Sequence, residues 1–439
     1  MNLLPTGDSW TGQWLSEIYE MDVEAMARSS GFQKRTQRKI SMRTMLVGML
    51  ALATTGHQSL ERVAASIARC AKATYSKQAL GKRLGTPVIG FMAAVFVHCF
   101  RPALREASSR GIFAPFNRLL LHDSTNIALR RRYANYYPGS SNQRGAHSQV
   151  KVQLICDLLE SNVEQASVSG FTRNDQSAAG DILNILKPGD LVIRDLGYFV
   201  LSVFQKIIEA SAFFVSRYRH DTRIADPSTH KPLNLLKLLN KQGSFDGWVL
   251  LGAEEKLRVR LVALPVPDAV ANQRRRTLHQ NRDRRHVPTK EHILLLGWNI
   301  FVSNVPETIW SAETFQVVYR LRWRIETLFK AFKSHLRLTE LSDHGLGMIR
   351  LTLMTRLIYC AFVCRTCQHL ETIGFKNNRH ASILRVANIF AGFALCFEAA
   401  VSGMTLQQLL FQLIEQHAYY EQRPDRKNFQ EVLASCLTS

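Results

Sequence analysis

Tyr319, Arg322, Glu326, Lys330 and Lys333 recur at helical spacing in YRLRWRIETLFKAFK, and at 3.6 residues per turn they fall within about 80° of one another. The stripe carries one carboxylate among bases, while the opposite face, Val318, Leu321, Ile325, Leu328, Phe329, Phe332 and Leu336, is apolar. Such a helix can bury one side and offer an acid flanked by cations to an anion, which suits metal-dependent chemistry on a phosphate backbone. An ordinary surface helix also carries Arg322 with Glu326 and Glu326 with Lys330 as i,i+4 pairs, worth a few tenths of a kcal/mol each. Two further acids sit where apolar runs end: Asp123 in RLLLHDST and Asp195 in LVIRDLGYF, where Gly197 permits a sharp turn. Each alone reads equally well as a turn or a helix cap. With Glu326 they form an oxygen-only donor set suited to Mg²⁺ or Mn²⁺. Two such ions about 3.5–4 Å apart can activate an attacking oxygen and stabilise the leaving oxygen in phosphodiester displacement. His122 either orients the neighbouring Asp123 or is simply packed.

These side chains need a scaffold, and the texture of the chain divides it in three. Residues 1 to about 110 read as helical, with RKISMRTMLVGMLALATTG followed by SLERVAASIARCAKATYSKQALGKRLG, a small basic helical pair like a helix-turn-helix. From 111 to about 340, short β-rich runs (119–121, 150–156, 163–168, 191–193), a helix around 178–186 and turn chemistry at Pro138-Gly139-Ser140-Ser141 predict a mixed sheet with helices packed on it. Between about 211 and 305, FFVSRY, GWVLL, LRVRLVAL and ILLLGWNIFVSN predict an inserted β-subdomain, with the basic run Arg274 to His286 as a loop. Residues 341–439 return to helices, and the broad apolar surface from Phe393 to Ile414 is the candidate dimer contact, or else packs on the protein's own core.

Composition narrows the function. A chain of 439 residues needs two or three domains or sub-domains, and 46% hydrophobic residues suffice to bury their cores. The 56 Lys and Arg against 35 Asp and Glu leave +21, which calls for a polyanionic partner, nucleic acid first. The charge recurs along the whole chain rather than in one amphipathic segment, and no apolar run is expected to span a membrane. MNLLPTGDSW lacks the regions of a secretory signal, so a cytoplasmic, nucleoid-associated protein is expected. The eight cysteines are scattered; Cys360, Cys364 and Cys367 have the spacing of an iron–sulfur motif but fall on one helical face in LTLMTRLIYCAFVCRTCQHL, which predicts core thiols.

Asp123, Asp195 and Glu326, with Y-x2-R-x3-E-x6-K at Tyr319, Arg322, Glu326 and Lys333, resemble the DDE transposases of bacterial insertion sequences, from about residue 40 to the helix after Lys333. The resemblance implies an α/β fold with a ribonuclease-H-like catalytic core, and a β-subdomain inserted between the second Asp and the Glu. It makes Asp123, Asp195 and Glu326 ligands of two divalent ions, Mg²⁺ or Mn²⁺, and Tyr319, Arg322 and Lys333 holders of phosphates at the element end. Lys330 lies on the same stripe. Trp298 matches a family tryptophan that stacks on a flipped base, and reads equally as a core tryptophan; Trp323, off the stripe, could stack on DNA or flank the core. The implied partners are double-stranded DNA, as terminal inverted repeats and target, and a second copy of the chain on paired ends. Two other readings fit the same acids less completely: a ribonuclease-H-fold repair nuclease and a catalytically silent DNA-binding regulator.

Overall fold

The computed structural model describes residues 21–34, 40–53, 55–56, 58–99, 111–142, 145–159, 162–280, 287–375, 380–393, 431–432 and 435–436. Among the described residues five helices come first: α1 (Val23–Ser29), α2 (Met42–Leu50), α3 (Leu60–Ala71), α4 (Lys77–Gly81) and α5 (Thr86–Cys99). Ser41, Ser59 and Ser76 cap α2, α3 and α4 by accepting from backbone N–H groups three residues on. Helices α2 and α3 pack so closely that a Cβ on Gly48 would lie 2.6 Å from the Ile67 Cα, so only glycine fits there.

Ten strands then form one sheet: β1 (Leu119–Leu129), β2 (Pro138–Asn142), β3 (Gly145–Asp157), β4 (Asn162–Gly170), β5 (Leu191–Arg194), β6 (Phe213–Arg217), β7 (Ile224–Ala225), β8 (Phe245–Leu251), β9 (Leu257–Pro265) and β10 (Trp298–Ser303). Their order is β2-β3-β1-β5-β6-β10-β9-β8-β7, with β4 on β3. Strands β1, β3 and β4 are antiparallel, while β5 joins β1, and β6 joins β5, in parallel. This mixed α/β arrangement is the fold class expected for a ribonuclease-H-like core. The remaining helices are α6 (Asp175–Ala178), α7 (Leu201–Glu209), α8 (Leu235–Gln242), α9 (Asp268–Gln280), α10 (Lys290–Leu295), α11 (Ala312–Arg320), α12 (Trp323–Ser334), α13 (Leu346–Phe375) and α14 (Ile383–Phe393).

Strands β7 to β10 lie in the chain between Asp195 and Glu326, and β10 pairs with β6 and carries β9, β8 and β7 outward as one sheet. Other expectations are corrected. The apolar run ILLLG is helical, ending α10, and the strand begins only at Trp298; a short apolar run does not distinguish a buried strand from a buried helix. The basic run from Arg274 is helical as far as Gln280, and 281–286 lie outside the described residues. Helix α13 contains a segment, Leu346–Cys367, long and apolar enough to cross a membrane, contrary to the expectation of none; 83% of its apolar window is buried inside the protein, as in a core helix. Cys360 and Cys367 lie in that core. The apolar stretch expected to pair two copies lies, beyond Phe393, outside the described residues.

The sheet separates two apolar layers. One joins α1–α5 and α11–α14 to one face of β1 and β3 through residues such as Met45, Leu50, Ile67, Phe91, Leu121, Val152, Leu328, Phe332, Ile358 and Phe390. The other seats α7 and α8 on the opposite face through Leu120, Val192, Phe204, Phe214 and Leu239. The amino-terminal helices therefore share a core with the sheet. Arg356 of α13 fastens that junction: wholly buried, it donates to the carbonyls of Ala53 and Thr55 on one side and Arg337 and Glu340 on the other. Burial lowers its pKa to about 10, so it remains a cation at neutral pH. Arg356→Met removes four carbonyl partners at once, and we expect a loss of about 3–5 kcal/mol in chemical denaturation. A shift below about 1 kcal/mol would mean that water replaces the guanidinium.

Candidate active site

The register of the three parallel strands builds the site. His122 of β1, Arg194 of β5 and Ser216 of β6 are level with one another, so the next residues, Asp123, Asp195 and Arg217, form a row at the edge where parallel pairing ends. Asp123 is not at a strand end, as its sequence suggested. β1 continues to Leu129, paired with β3 throughout, and only its parallel neighbour stops. Beyond that point the Ser124 backbone N–H donates to Asp123 Oδ1 at 2.8 Å. His122 points to the opposite face, buried, 3.3 Å from the Arg194 guanidinium and packed on the Tyr198 ring at 4.2 Å between centroids; it packs rather than orients Asp123.

The acid-and-base segment is two helices, not one. Between α11 and α12, backbone bonds from Leu321 to Val318, Arg322 to Tyr319, Arg324 to Leu321 and Ile325 to Arg322 tighten to i→i−3. At three residues per turn Tyr319 and Arg322 eclipse, and both face Asp195. The Tyr319 hydroxyl lies 3.3 Å from the Arg194 carbonyl and 3.4 Å from Asp195 Oδ1. Tyr319 is only 7% exposed and lies between the Arg217 and Arg322 guanidinium groups, 5.5 and 5.8 Å from its ring centroid. Arg322 lies 2.5 Å from Glu326 Oε1 and 3.6 Å from Asp195 Oδ1. The apolar face of α12 is buried as its periodicity required, Lys330 is exposed and Lys333 is half-buried. Trp323 is 62% exposed beside the site.

Burial raises the Asp123 pKa to about 6; the Ser124 N–H and Arg322 pull it down, and Asp195 and Glu326 push it up. Among the described residues no three acids, histidines or cysteines are gathered as a ready-made metal cage. The Arg322 guanidinium is the cation that lies between two of the carboxylates, Asp195 and Glu326. An oxygen-only donor set is of the kind that suits hard divalent ions.

A cleft of about 380 Å³ opens beside Asp195, lined by Arg217, Arg274, Arg320, Arg322, Tyr319 and Trp323 among others. Arg217 and Arg320 were missed by the sequence reading. The signal for Arg217 is positional, since a charged residue closes a third consecutive parallel strand, where α/β sheets bind ligands. Trp298 opens β10 at the wall of a neighbouring cavity of about 670 Å³, its indole N–H donating to the Gly243 carbonyl at 2.7 Å. Arg274 is held by the Trp298 and Leu296 carbonyls and Asn299 Oδ1.

A profile of the family described as Transposase DDE domain matches residues 114–361, more than half the chain and the stretch that carries all three acids. The chain belongs to this family. The transposase is 24% identical over 441 residues to the transposase for insertion sequence element IS231B of Bacillus thuringiensis subsp. berliner, covering 94% of this chain and 92% of that one. It is 26% identical over 334 residues to the transposase for IS231D of Bacillus thuringiensis subsp. finitimus, covering 71% and 70%. A solved piggyBac transposase synaptic complex with hairpin DNA aligns at a TM-score of 0.41 and 10% identity, over 94% of this chain and 84% of that one. The enzyme is thus a DDE transposase of the bacterial insertion-sequence kind, acting on DNA.

Proposed function

We propose that this transposase binds the terminal inverted repeats of its element, cuts DNA at both ends and joins the freed 3′-hydroxyls to target DNA, without a covalent protein–DNA intermediate. The observation that carries the reading is the level row of Asp123 and Asp195, with Glu326 brought to it on α12 within electrostatic reach of Asp123. Asp123, Asp195 and Glu326 would hold two Mg²⁺ or Mn²⁺ ions, which supply charge stabilisation of the entering and leaving oxygens. Tyr319, which the resemblance makes a phosphate holder, is buried with its hydroxyl turned to Asp195, so its role here is instead to orient that carboxylate. Arg322, Lys330 and Lys333 hold phosphates of the element end, and Arg322 exchanges its carboxylate partners for phosphate when DNA enters the cleft. Trp298 receives a displaced base. Each step is an in-line displacement by water or a hydroxyl, so one acidic site serves them all.

Joining two ends at one target needs two active sites, so the working form is a homodimer on paired ends, with the helical carboxy-terminal region as its contact. The protein acts at the nucleoid, and the buried apolar helix α13 serves the core, not a membrane. The deciding experiment is a plasmid carrying the DNA that flanks this gene: excision and joined products are expected with Mg²⁺, whereas cleavage without joining would favour a nuclease and binding alone a silent regulator.

Lys333→Ala and Arg322→Ala are each expected to weaken end binding and to reduce the log–log salt slope by about 0.9. Unchanged slopes would leave the stripe an ordinary salt-bridged surface. Because its guanidinium now neutralises Asp195 and Glu326, Arg322→Ala is also expected to tighten Mn²⁺ binding without DNA, as read by titration.

A further inference from the structure

On the face of the sheet turned away from Asp123 lies a polar cluster that the catalytic reading does not use. Side chains alternate along a strand, so Ser124, next to Asp123, faces the other layer together with Lys151 and Gln153 of β3, which pair with β1 at Asn126 and Ser124. Asp175, at the start of α6, reaches into that layer. It accepts from the Ser124 hydroxyl at 2.7 Å, from the Lys151 ammonium at 2.8 Å and from the Gln153 amide at 3.4 Å. The Gln153 carbonyl oxygen accepts from the Tyr198 hydroxyl at 2.5 Å, and Tyr198 ends the turn that starts at Asp195. Asp175 also lies over the middle of that turn, where a Cβ on Gly197 would sit 3.2 Å from its carboxylate.

One carboxylate thus braces the residue after Asp123 and the turn after Asp195. Lys151 is 3% exposed while its partner Asp175 is partly exposed, and such an ion pair is a poor source of stability, since well-packed apolar side chains usually do as well. Its value lies in fixing geometry. The Ser124 hydroxyl is tied down by Asp175 while the Ser124 N–H holds the Asp123 carboxylate, so displacement of one is transmitted to the other.

We propose that Asp175, Lys151, Gln153 and Ser124 are positioning residues that hold Asp123 and Asp195 in the geometry the reaction needs, acting from the opposite face of the sheet. The inference rests on the assignment of those two aspartates as the reacting acids. Groups behind metal-binding side chains commonly change metal affinity or activity by about 10- to 100-fold when removed.

The test uses the full chain and three measurements: Mn²⁺ affinity without DNA by electron paramagnetic resonance, DNA-end affinity, and the single-turnover cleavage rate of the preformed complex. Ser124→Ala and Asp175→Asn are expected to weaken Mn²⁺ binding and slow cleavage by about 10- to 100-fold, with end affinity unchanged; Ser124→Thr, which keeps the hydroxyl, restores most of both. The double variant Lys151→Met with Asp175→Leu removes the pair without stranding a charge, and is expected to melt like the parent yet show the same two losses. Parental Mn²⁺ affinity and cleavage rate in the double variant, or in Ser124→Ala, would overturn the proposal. Should Asp175→Asn fail to fold, Ser124→Ala, which loses one hydroxyl, decides alone. Asp123→Ala is measured alongside: if it retains cleavage, the assignment of the acids falls and this proposal with it, whereas if only the network variants retain cleavage, the assignment stands.

Discussion

Replacing Asp123, Asp195 or Glu326 by alanine, one at a time, is expected to reduce DNA cleavage by about a thousandfold or more while leaving end binding nearly intact. The two effects separate because they draw on different side chains. Affinity for DNA comes mainly from phosphate contacts, which a basic chain of net charge +21 supplies in abundance. Turnover depends on charge stabilisation in the displacement, where several kcal/mol are at stake and each 1.4 kcal/mol or so is a factor of about ten. Alanine at any of the three positions removes one of the three carboxylates proposed to hold the ions. The Glu326 variant frees Arg322, which lies 2.5 Å from it, so that variant is expected to bind ends at least as tightly as the parent. Gel-shift and single-turnover nicking assays on the same end duplex measure both quantities, and near-parental nicking by one variant would remove that residue from the site. Mg²⁺ or Mn²⁺ supports the reaction in this reading, and Ca²⁺ supports binding without turnover because it accepts looser oxygen geometry.

The parts of this site that the sequence exposes are those governed by local pattern. The apolar face of the segment around Glu326 follows from 3.6-residue periodicity, and Val318, Leu321, Ile325, Leu328, Phe329, Phe332 and Leu336, spread over α11, the joint and α12 with its end, are all buried. Asp123 and Asp195 announce themselves by type after apolar runs, and Glu326 as the one acid on a basic stripe. What escapes is set by pairing between distant segments. Asp-Ser-Thr-Asn at 123–126 has the composition of a turn, yet it is strand, because β3 pairs with it along its length and supplies Lys151 and Gln153 to its polar face. Arg217 joins the site through a register that no window of sequence contains. The joint at Leu321 and Arg322 carries neither Gly nor Pro, so nothing local marks it; it is fixed by Tyr319 and Arg322 converging on Asp195. The long apolar helix α13 looks membrane-like by length alone and is explained only by what surrounds it.

Asp123→Asn is expected to stabilise the protein at pH 8 while abolishing its activity. The Asp123 carboxyl has a pKa of about 6 in the folded protein, against an ordinary 3.8, first because it is buried and then because Asp195 and Glu326 are close. The folded state therefore binds its proton more tightly than the unfolded chain does. Stability from this group is fully present below about pH 4 and is lost as pH rises through 6, so above that the parent carries a cost of up to about 3 kcal/mol. Asparagine keeps the shape and removes the cost. The stability gap between variant and parent should widen from pH 4 to pH 8 by that amount, and Mg²⁺ at pH 8 should narrow it again, since a cation that binds only the folded parent stabilises the parent alone. In the parent, the proton competes with the cation at Asp123, so cleavage should fall about tenfold per pH unit below 6. Denaturation at pH 4 and pH 8, with and without Mg²⁺, measures the linkage directly. A gap that is equal at both pH values and indifferent to Mg²⁺ would show that Asp123 is neither strained by its neighbours nor a place where a cation is needed.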